Sequence, residues 1–358
     1  MKKWEDILAG VSQGARLSSQ EALTLWHDAP LWRLAEVAVE KKRSVSADKV
    51  FYNKNFHIEP TNLCVFNCKF CSYRRTKGSP EAWDYTMEEI EALVRSYKGK
   101  GATEMHIVGG VHPEHGIEYY CDMIRRVKQI LPEAAVKAFT AIELSYMISK
   151  AGLTIREGLQ MLIDAGMEAI PGGGAEIFDE EIRSQICPDK GSTREWFEVH
   201  RTAHELGIKT NATMLYGHIE RIEHRIDHLM RLRELQDQTG GFNAFIPLKY
   251  RNFGNSMSEI GEVPVVDDLR TLAMSRLILD NVPHIKAYWV MYGKQTTEMA
   301  LSFGADDIDG TIEDSTKIYS MAGADDKRPV MSVDQMRAMV ERAGFRAVER
   351  DTHYNEIG

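Results

Sequence analysis

The 358-residue chain has few cysteines and no long apolar stretch. Five cysteines are too few to build a disulfide scaffold in a chain of this length. No apolar run approaches the ~20 residues that a membrane-spanning helix requires. The opening Met-Lys-Lys-Trp-Glu-Asp is not followed by an apolar segment, so no signal peptide is predicted. We therefore expect a soluble cytoplasmic protein without a membrane partner.

An excess of basic residues is also lacking. The chain has 44 Lys and Arg against 53 Asp and Glu, which gives a formal net charge of -9. Domains that bind nucleic acids normally carry a basic face. No nucleic-acid partner is therefore expected.

From about residue 50 onward, short apolar segments alternate with amphipathic helical segments. This alternation predicts parallel strands with right-handed crossovers, and hence an α/β fold with a full or partial (β/α) barrel. The predicted strands are 55–60, 104–108, 135–140, 168–171, 209–214, 242–247, 284–290 and 305–309. The predicted helices between them are 87–97, 116–131, 155–165, 194–206, 220–237, 267–281 and 295–303.

The sequence divides into three parts, of which the alternating segment is the middle one. Residues 1–49 are predicted to be helical, residues 50–310 to form the barrel, and residues 311–358 to form a C-terminal cap. The cap is expected to hold a helix from about Val333 to Ala343 and an edge strand at 345–348. We expect the N-terminal helices and the cap to cover the mouth of the barrel.

The strongest chemical signal is Cys64-Val-Phe-Asn-Cys68-Lys-Phe-Cys71, directly after the first predicted strand. Three thiolates at this spacing can hold three corners of a cubane iron–sulfur cluster and leave the fourth iron open to a substrate. The loop also follows the carboxyl end of a strand, where (β/α) barrels place their chemistry.

A zinc site is the alternative for these cysteines. Structural zinc takes four protein ligands, usually in two paired halves, and the other cysteines lack that spacing. Cys121 lies on an amphipathic helix and Cys187 precedes a proline at a helix end, so both are interpreted as packing residues. An iron–sulfur cluster is favoured over zinc. A non-catalytic metal-binding barrel protein remains the hypothesis from another functional class.

The cysteine spacing, with Phe70 before the last cysteine, resembles the signature of the radical S-adenosylmethionine (SAM) superfamily. The longer stretch His57-Ile-Glu-Pro-Thr-Asn-Leu-Cys and its continuation to Arg75 resembles the aminofutalosine synthases of menaquinone biosynthesis. This resemblance implies a radical SAM barrel with a [4Fe-4S] cluster on Cys64, Cys68 and Cys71, beside which Phe70 and bound SAM would lie.

Gly109 and Gly110 end the second predicted strand. The resemblance implies that this stretch meets the amino group of SAM. Many relatives have an acidic residue after the two glycines, whereas this chain has Val111, so backbone carbonyls are expected to hold that group. An ordinary strand-to-helix turn is the alternative interpretation.

Two further segments resemble parts of a SAM pocket. Gly217 and Glu220 are similar to a stretch that contacts adenine, although Glu220 is equally consistent with stabilising a helix N-terminus. Ile246 is placed to pack on adenine, with plain barrel core as its alternative.

The segment Pro171-Gly-Gly-Gly-Ala-Glu176 ends the fourth predicted strand. Consecutive glycines suggest close approach to a ligand, and Glu176 is expected to accept from ribose hydroxyls. A phosphate loop is less favoured because the Lys-Ser/Thr that completes it is missing.

The resemblance implies a substrate with two carboxylates, for which arginine and lysine are natural partners. Each candidate is also consistent with a structural role, and His106 is interpreted as a satisfied core histidine. The substrate-side candidates are Glu59, Asn62, His112, Gly173, Lys249 and Arg251.

The resemblance also implies the reaction. The 5′-deoxyadenosyl radical from SAM is expected to add to the enolpyruvyl methylene of 3-[(1-carboxyvinyl)oxy]benzoate. Rearrangement and loss of a carboxylate then give 6-amino-6-deoxyfutalosine, with SAM consumed and a flavodoxin or ferredoxin as electron donor. Dehypoxanthine futalosine cyclase and a deazaflavin synthase subunit are the alternatives within the superfamily.

Overall fold

The computed structural model describes residues 2–311, 316–323 and 329–357. Within these ranges ten strands form one sheet, and every adjacent pair in it is parallel. The strands are β1 Lys49–Tyr52, β2 Asn55–Ile58, β3 Glu104–Ile107, β4 Ala135–Ala138, β5 Met167–Ile170, β6 Lys209–Tyr216, β7 Phe242–Lys249, β8 His284–Ala287, β9 Asp307–Ile308 and β10 Arg346–Glu349.

The sheet curls into a barrel because a very short connection joins β2, at one end of the strand order, to β1, which lies next to the other end. The strand order is β10-β1-β9-β8-β7-β6-β5-β4-β3-β2, yet only Asn53 and Lys54 separate β1 from β2. A Cβ added at Gly310, just after β9, would lie 1.7 Å from the carbonyl oxygen of Asn53. Only glycine allows the last barrel strand to approach this connection so closely.

Helices fill the connections between the strands and flank the sheet. Several begin with a Ser/Thr-x-x-Glu capping box, as Thr86 and Glu89 do at α4, because the two side chains satisfy backbone N–H groups of the first turn. The helices are α1 Trp4–Ser12, α2 Ser19–Asp28, α3 Leu31–Ser46, α4 Met87–Ser96, α5 Ile117–Ile130, α6 Ala141–Lys150, α7 Ile155–Ala165, α8 Glu180–Ile186, α9 Thr193–Glu205, α10 Ile222–Thr239, α11 Val265–Ile278, α12 Trp289–Tyr292, α13 Lys294–Ala300, α14 Ile318–Met321 and α15 Val333–Arg342. No helix of the described ranges has the length and apolar content to cross a membrane.

The predicted α/β barrel class is confirmed, and each of the eight predicted strands corresponds to one of β2 to β9. The predicted edge strand near the C-terminus is also confirmed, as β10 pairs with β1. Strand β1 was not predicted. The predicted strand 284–290 is too long, because the chain turns into the short helix α12 at Trp289.

The N-terminal helices lie on the flank of the barrel, so the prediction that they cover its mouth is wrong. Arg16, between α1 and α2, forms ion pairs with Asp237 at 2.9 Å and Asp280 at 2.9 Å. The guanidinium of Arg225 on α10 lies 5.5 Å from the ring centroid of Trp26 on α2. These contacts bind α2 to the outer faces of α10 and α11 and their neighbouring loops.

The described parts of 311–358 lie at both ends of the barrel. Residues 316–323 contact the mouth, where Thr316 and Lys317 bind Glu59 beyond the end of β2. The tail after β10 lies at the opposite end, where Thr352 donates to Glu104 at 2.5 Å at the start of β3. Residues 312–315 and 324–328 of the predicted cap lie outside the described residues. The domain boundaries at 49/50 and 310/311 remain predictions.

Candidate active site

The cysteine loop leaves the carboxyl end of β2 and folds back on itself. Bridges pair Thr61 with Asp84 and Leu63 with Arg75, and the amide of Cys71 donates to the carbonyl of Cys68 at 3.1 Å. This local folding turns three side chains, those of Cys64, Cys68 and Cys71, toward one cavity. The loop therefore presents its thiols from a hydrogen-bonded frame rather than from an extended segment.

The cavity of about 270 Å³ opens at the carboxyl ends of the strands and continues into the barrel. Its lining brings together many of the residues that the sequence singled out. These are Cys64, Cys68, Phe70, Cys71, Gly109, Gly110, Gly173, Glu176 and Ile246.

The thiols fit a metal cluster with one open corner. Burial raises the pKa values of Cys64 and Cys68, so without a nearby cation these thiols stay protonated. A bound metal stabilises the thiolate form and reverses that preference. In the described part of the chain no fourth cysteine lines the cavity, although the buried Cys187 lies near Cys68 and Lys190 behind the lining. Three ligands and an accessible space beside them match a cluster with one open iron.

Gly109 and Gly110 are needed for the packing of the cysteine loop itself. A Cβ at Gly110 would lie 2.3 Å from the carbonyl oxygen of Leu63, and one at Gly109 would lie 2.9 Å from that of Thr61. The amide of Gly110 also donates to Thr61 at 2.8 Å. The glycines thus set the loop against β3, in addition to lining the cavity.

A carboxylate that the sequence analysis missed lies beside these glycines. Glu143, in the first turn of α6, accepts the amide of Gly109 at 3.0 Å and that of Thr140 at 2.7 Å. Burial raises the pKa of Glu143 to about 7. The chain therefore has an acidic group next to the glycine pair even though Val111 is apolar. The Thr140-x-x-Glu143 spacing signalled a helix start, but not this contact.

The three-glycine segment after β5 is a tight turn. Gly172 and Gly174 have φ values of 89° and 90°, and a Cβ at Gly172 would lie 2.2 Å from the carbonyl oxygen of Asn211. These positions require glycine for backbone reasons. Glu176, which follows the turn, is ion-paired with Lys190.

Lys190 is a second residue that the sequence analysis missed. Burial opposes its charge, but Glu176 and the thiols of Cys68 and Cys187 outweigh burial and raise the pKa of the ammonium group. Lys190 lines the cavity close to the cysteine loop. It therefore places a positive charge beside the predicted cluster ligands.

Glu220 and Gly217 do not line the cavity. The Glu220 carboxylate accepts the amides of Gly217 at 2.7 Å and His218 at 2.9 Å, and it binds Arg225 at 2.7 Å. These contacts organise the turn between β6 and α10. A contact of this turn with adenine stays a prediction.

Among the substrate-side candidates, only Gly173 lines the cavity. The others bind neighbouring protein groups. Glu59 accepts the amide of Lys317 at 2.8 Å, Asn62 accepts that of Trp83 at 2.8 Å, His112 faces Asp84 at 3.3 Å, Lys249 pairs with Asp268 at 3.0 Å, and Arg251 pairs with Glu262 at 3.2 Å.

His112 also belongs to a group with His115 and Asp84 whose ligand atoms lie within 4.8 Å of one another. The hydrogen bonds argue against a metal there. His112 Nδ1 accepts the amides of Glu114 at 3.1 Å and His115 at 3.2 Å, which assigns the proton of the neutral ring to Nε2, facing Asp84. A ring with this tautomer has no free lone pair for an ion between the three residues.

The inner end of the cavity is polar. His57, His106 and Lys137 lie in register on β2, β3 and β4, and the two imidazole rings stack with centroids 4.5 Å apart. Lys286 on β8 and Asp309 beyond β9 line the same space. The interpretation of His106 as a satisfied core histidine is wrong, because its side chain faces the cavity and makes no hydrogen bond with any described residue.

Comparisons with known proteins show the family to which the chain belongs. A model described as "Radical SAM superfamily" matches residues 58–232, and one described as "CofH/MqnC C-terminal region" matches 239–357. The chain is 43% identical, over 97% of its length and 94% of the relative's, to aminodeoxyfutalosine synthase of Thermus thermophilus. It is 41% identical, over 96% of its length and 91% of the relative's, to that of Streptomyces coelicolor.

More distant relatives share the whole fold. A 5-amino-6-(D-ribitylamino)uracil–L-tyrosine 4-hydroxyphenyl transferase of Methanocaldococcus jannaschii is 35% identical over 94% of this chain and 96% of its own length. The crystal structure of methylornithine synthase superposes with a TM-score of 0.76 at 18% identity, covering 95% of this chain and 97% of that one. At that identity the superposition supports the fold alone.

Proposed function

The chain belongs to the radical SAM superfamily, and on this basis we propose that it is an aminodeoxyfutalosine synthase. The observation that carries the proposal is near-full-length identity of 41% and 43% to two enzymes of that name, in a chain whose three motif cysteines face one cavity. The proposed reaction joins the 5′-deoxyadenosyl group of SAM to 3-[(1-carboxyvinyl)oxy]benzoate, with rearrangement and loss of one carboxylate. The product is 6-amino-6-deoxyfutalosine.

Cys64, Cys68 and Cys71 are proposed to hold a [4Fe-4S] cluster. When bound, the cluster and SAM supply a 5′-deoxyadenosyl radical, so the demanding chemistry comes from the cofactor pair. Gly109, Gly110, Glu176 and Ile246 are proposed to position SAM, because they line the cavity next to the cysteines. A flavodoxin or ferredoxin is the proposed electron donor.

The protein itself must position the substrate and keep water out of the cavity. Ile318 of α14 lines the cavity, and the backbone of its segment is held at the mouth by Glu59. The ring of Phe70 and the side chain of Leu248 provide apolar walls. Walls of this kind help to protect a reactive carbon centre from solvent.

The test is a product mass spectrum after anaerobic reconstitution. The protein would be incubated with SAM, a reductant and 3-[(1-carboxyvinyl)oxy]benzoate. A product containing adenosine joined to the aryl carboxylate is expected. Free 5′-deoxyadenosine without an adduct would reject the synthase assignment and favour the cyclase, while uptake of zinc without iron or sulfide would favour a non-catalytic metal-binding barrel.

A transferase of the deazaflavin route is the second candidate, since relatives with that activity align at 35% identity over 94% of the chain. Incubation of the same preparation with L-tyrosine and 5-amino-6-(D-ribitylamino)uracil separates the two functions. The synthase proposal expects no coupled product from this pair. A coupled product would move the assignment to the transferase.

A further inference from the structure

The inner end of the cavity carries charges where (β/α) barrels normally carry branched apolar side chains. Three carboxylates and three cations lie at this end of the cavity or directly behind its lining, so the positive and negative charges are equal in number. They are Glu104, Asp307, Asp309, Lys137, Lys286 and Arg350. Buried ion pairs are often no more stabilising than apolar residues of the same volume, so stability alone is a poor reason for this arrangement.

Each carboxylate in this group already accepts a hydrogen bond from a cation of the protein. Glu104 accepts from Lys137 at 2.6 Å and from Thr352 at 2.5 Å. Asp309 accepts from Lys286 at 3.1 Å and from Asn55 at 3.3 Å. Asp307, which does not line the cavity, accepts from Arg350 at 2.6 Å. The carboxylate charges are therefore paired within the protein, and each carboxylate keeps one oxygen that accepts no hydrogen bond from a described residue.

The donors are not used up. A lysine ammonium carries three N–H groups, and Lys137 directs one to Glu104 while Lys286 directs one to Asp309. His106 contributes a further ring N–H, because it bonds to no described residue and faces the cavity. These unused N–H groups can donate to a ligand group that accepts hydrogen bonds.

Like charges also face each other here. Burial lowers the pKa of Lys137 and the paired Glu104 opposes that shift, while Lys286 lowers the pKa further because the two ammonium groups repel each other. Burial and the neighbouring His57 lower the pKa of His106, with Lys137 and Lys286 contributing in the same direction. A carboxylate placed between these groups would relieve that repulsion.

From these contacts we infer that His106, Lys137 and Lys286 form the subsite for the aryl carboxylate of the substrate. The inference rests on the proposed function, which supplies a substrate with two carboxylates. The cysteines follow the carboxyl end of β2, whereas Lys137 and Lys286 lie within β4 and β8, deeper in the barrel. The enolpyruvyl methylene of the substrate reacts next to SAM, so it would face the mouth of the barrel. The aryl carboxylate on the other side of the benzene ring would then reach Lys137 and Lys286.

The experiment compares 3-[(1-carboxyvinyl)oxy]benzoate with its benzamide analogue, in which a neutral carboxamide replaces only the aryl carboxylate. For the unaltered enzyme we expect the amide to lower kcat/KM about 10- to 100-fold, mainly through KM, because charged hydrogen bonds are lost in a desolvated site. Calorimetric Kd values for both compounds, with reconstituted protein, provide a readout that does not depend on turnover.

Two variants test the named residues without leaving a buried charge unpaired. Glu104→Gln combined with Lys137→Gln neutralises the pair together, and His106→Phe removes the ring donor. Both are expected to reduce the preference for the carboxylate to about threefold or less. The matched control is Lys128→Gln combined with Glu168→Gln, an ion pair of 2.8 Å outside the cavity lining, which should keep the full preference.

Unchanged preference in both subsite variants would overturn the inference, as would equal affinity of the unaltered protein for the two compounds. Should the double variant fail to fold by circular dichroism, His106→Phe decides the question. Product formation without carboxylate preference rejects the subsite but keeps the proposed function. Carboxylate-selective binding that depends on these residues, without adduct formation, supports the subsite and rejects the synthase.

Discussion

The carboxylate of Glu59, just beyond β2, accepts the backbone amide of Lys317 at 2.8 Å. It also accepts the hydroxyl of Thr316 at 3.0 Å, and the side chain of Glu59 is buried. The Glu59 carboxylate thus connects the start of the cysteine loop to the segment 316–321 at the barrel mouth. The sequence analysis had placed Glu59 among the substrate contacts.

Loss of the Glu59 carboxylate should release this segment. In Glu59→Ala the amides of Lys317 and Ile318 lose their acceptor, so we expect their hydrogen exchange to accelerate by at least about 10-fold. Exchange measured by mass spectrometry on peptides covering 316–323 checks this. Glu88→Ala, at an exposed position on α4, is the control, and equal exchange in the two variants would contradict the role of Glu59.

Glu59 and Glu143 should each make the protein less stable as the pH rises between about 5 and 7. Burial raises the pKa values of both carboxyls from 4.5 to about 7, so in this window each holds a proton in the folded state that it loses in the unfolded state. Each group should contribute roughly 3 kcal/mol that is present below pH 4.5 and lost as the pH passes 7. Urea unfolding across this range should show the unaltered protein losing stability relative to Glu143→Gln as the pH rises, and a pH-independent difference between the two would refute the assignment.

The cysteines should separate cleanly into two groups. Replacing Cys64, Cys68 or Cys71 by Ala is expected to abolish iron binding and all SAM cleavage, because a three-ligand site cannot hold the cluster with two. Cys121→Ala and Cys187→Ala serve as controls and should keep the iron content of the unaltered protein. Cys187→Ala is the more demanding control, because the Cys187 thiol and the predicted ligand Cys68 both lie near the ammonium group of Lys190. Iron and sulfide analysis after reconstitution gives the answer.

Gly110 should be required for the cysteine loop to hold its cluster. Any side chain there collides with the carbonyl of Leu63, one residue before Cys64, at 2.3 Å from the added Cβ. Gly110→Ala is therefore expected to lower both iron content and SAM affinity by several-fold, as the loop must move. Gly261→Ala, where nothing lies within 4 Å of an added Cβ, is the matched control. Normal iron content in Gly110→Ala would show that the loop tolerates the shift.

The tail beyond β10 should contribute strongly to stability. Arg350 is fully buried and pairs with Asp307 at 2.6 Å, so Arg350→Met leaves a buried carboxylate without its main partner. We expect the free energy of unfolding to fall by about 3–5 kcal/mol. Arg346→Met, at an exposed position of the neighbouring strand, should change it by less than about 0.5 kcal/mol. Denaturant unfolding of both variants measures the difference.

The sequence was sufficient to predict the barrel and the cysteine site because both depend on local patterns. Alternating strand and helix signals specify the parallel sheet, and the three cysteines lie within eight residues of one another. Strand β1 escaped prediction because only Asn53 and Lys54 divide it from β2, so the two strands look like a single segment.

The contents of the barrel interior could not be predicted in the same way. A charged residue within a strand faces either side, and its direction depends on a register that only the folded sheet defines. Lys137 and Lys286 were therefore missed, and His106 was misread. Conversely, Lys249 looked available for a substrate because its partner Asp268 lies on α11, beyond the strand that carries the lysine.

The position of β1 between β9 and β10 determines how late in synthesis this strand can join the sheet. Phe51 pairs with Asp307, and Lys49 to Tyr52 pair with 346–349, so one of the first strands to emerge has no partner until almost the entire chain has been made. Contacts this distant in sequence are slow to form. The β1 strand therefore takes its place in the barrel only after the C-terminal strands β9 and β10 have been made.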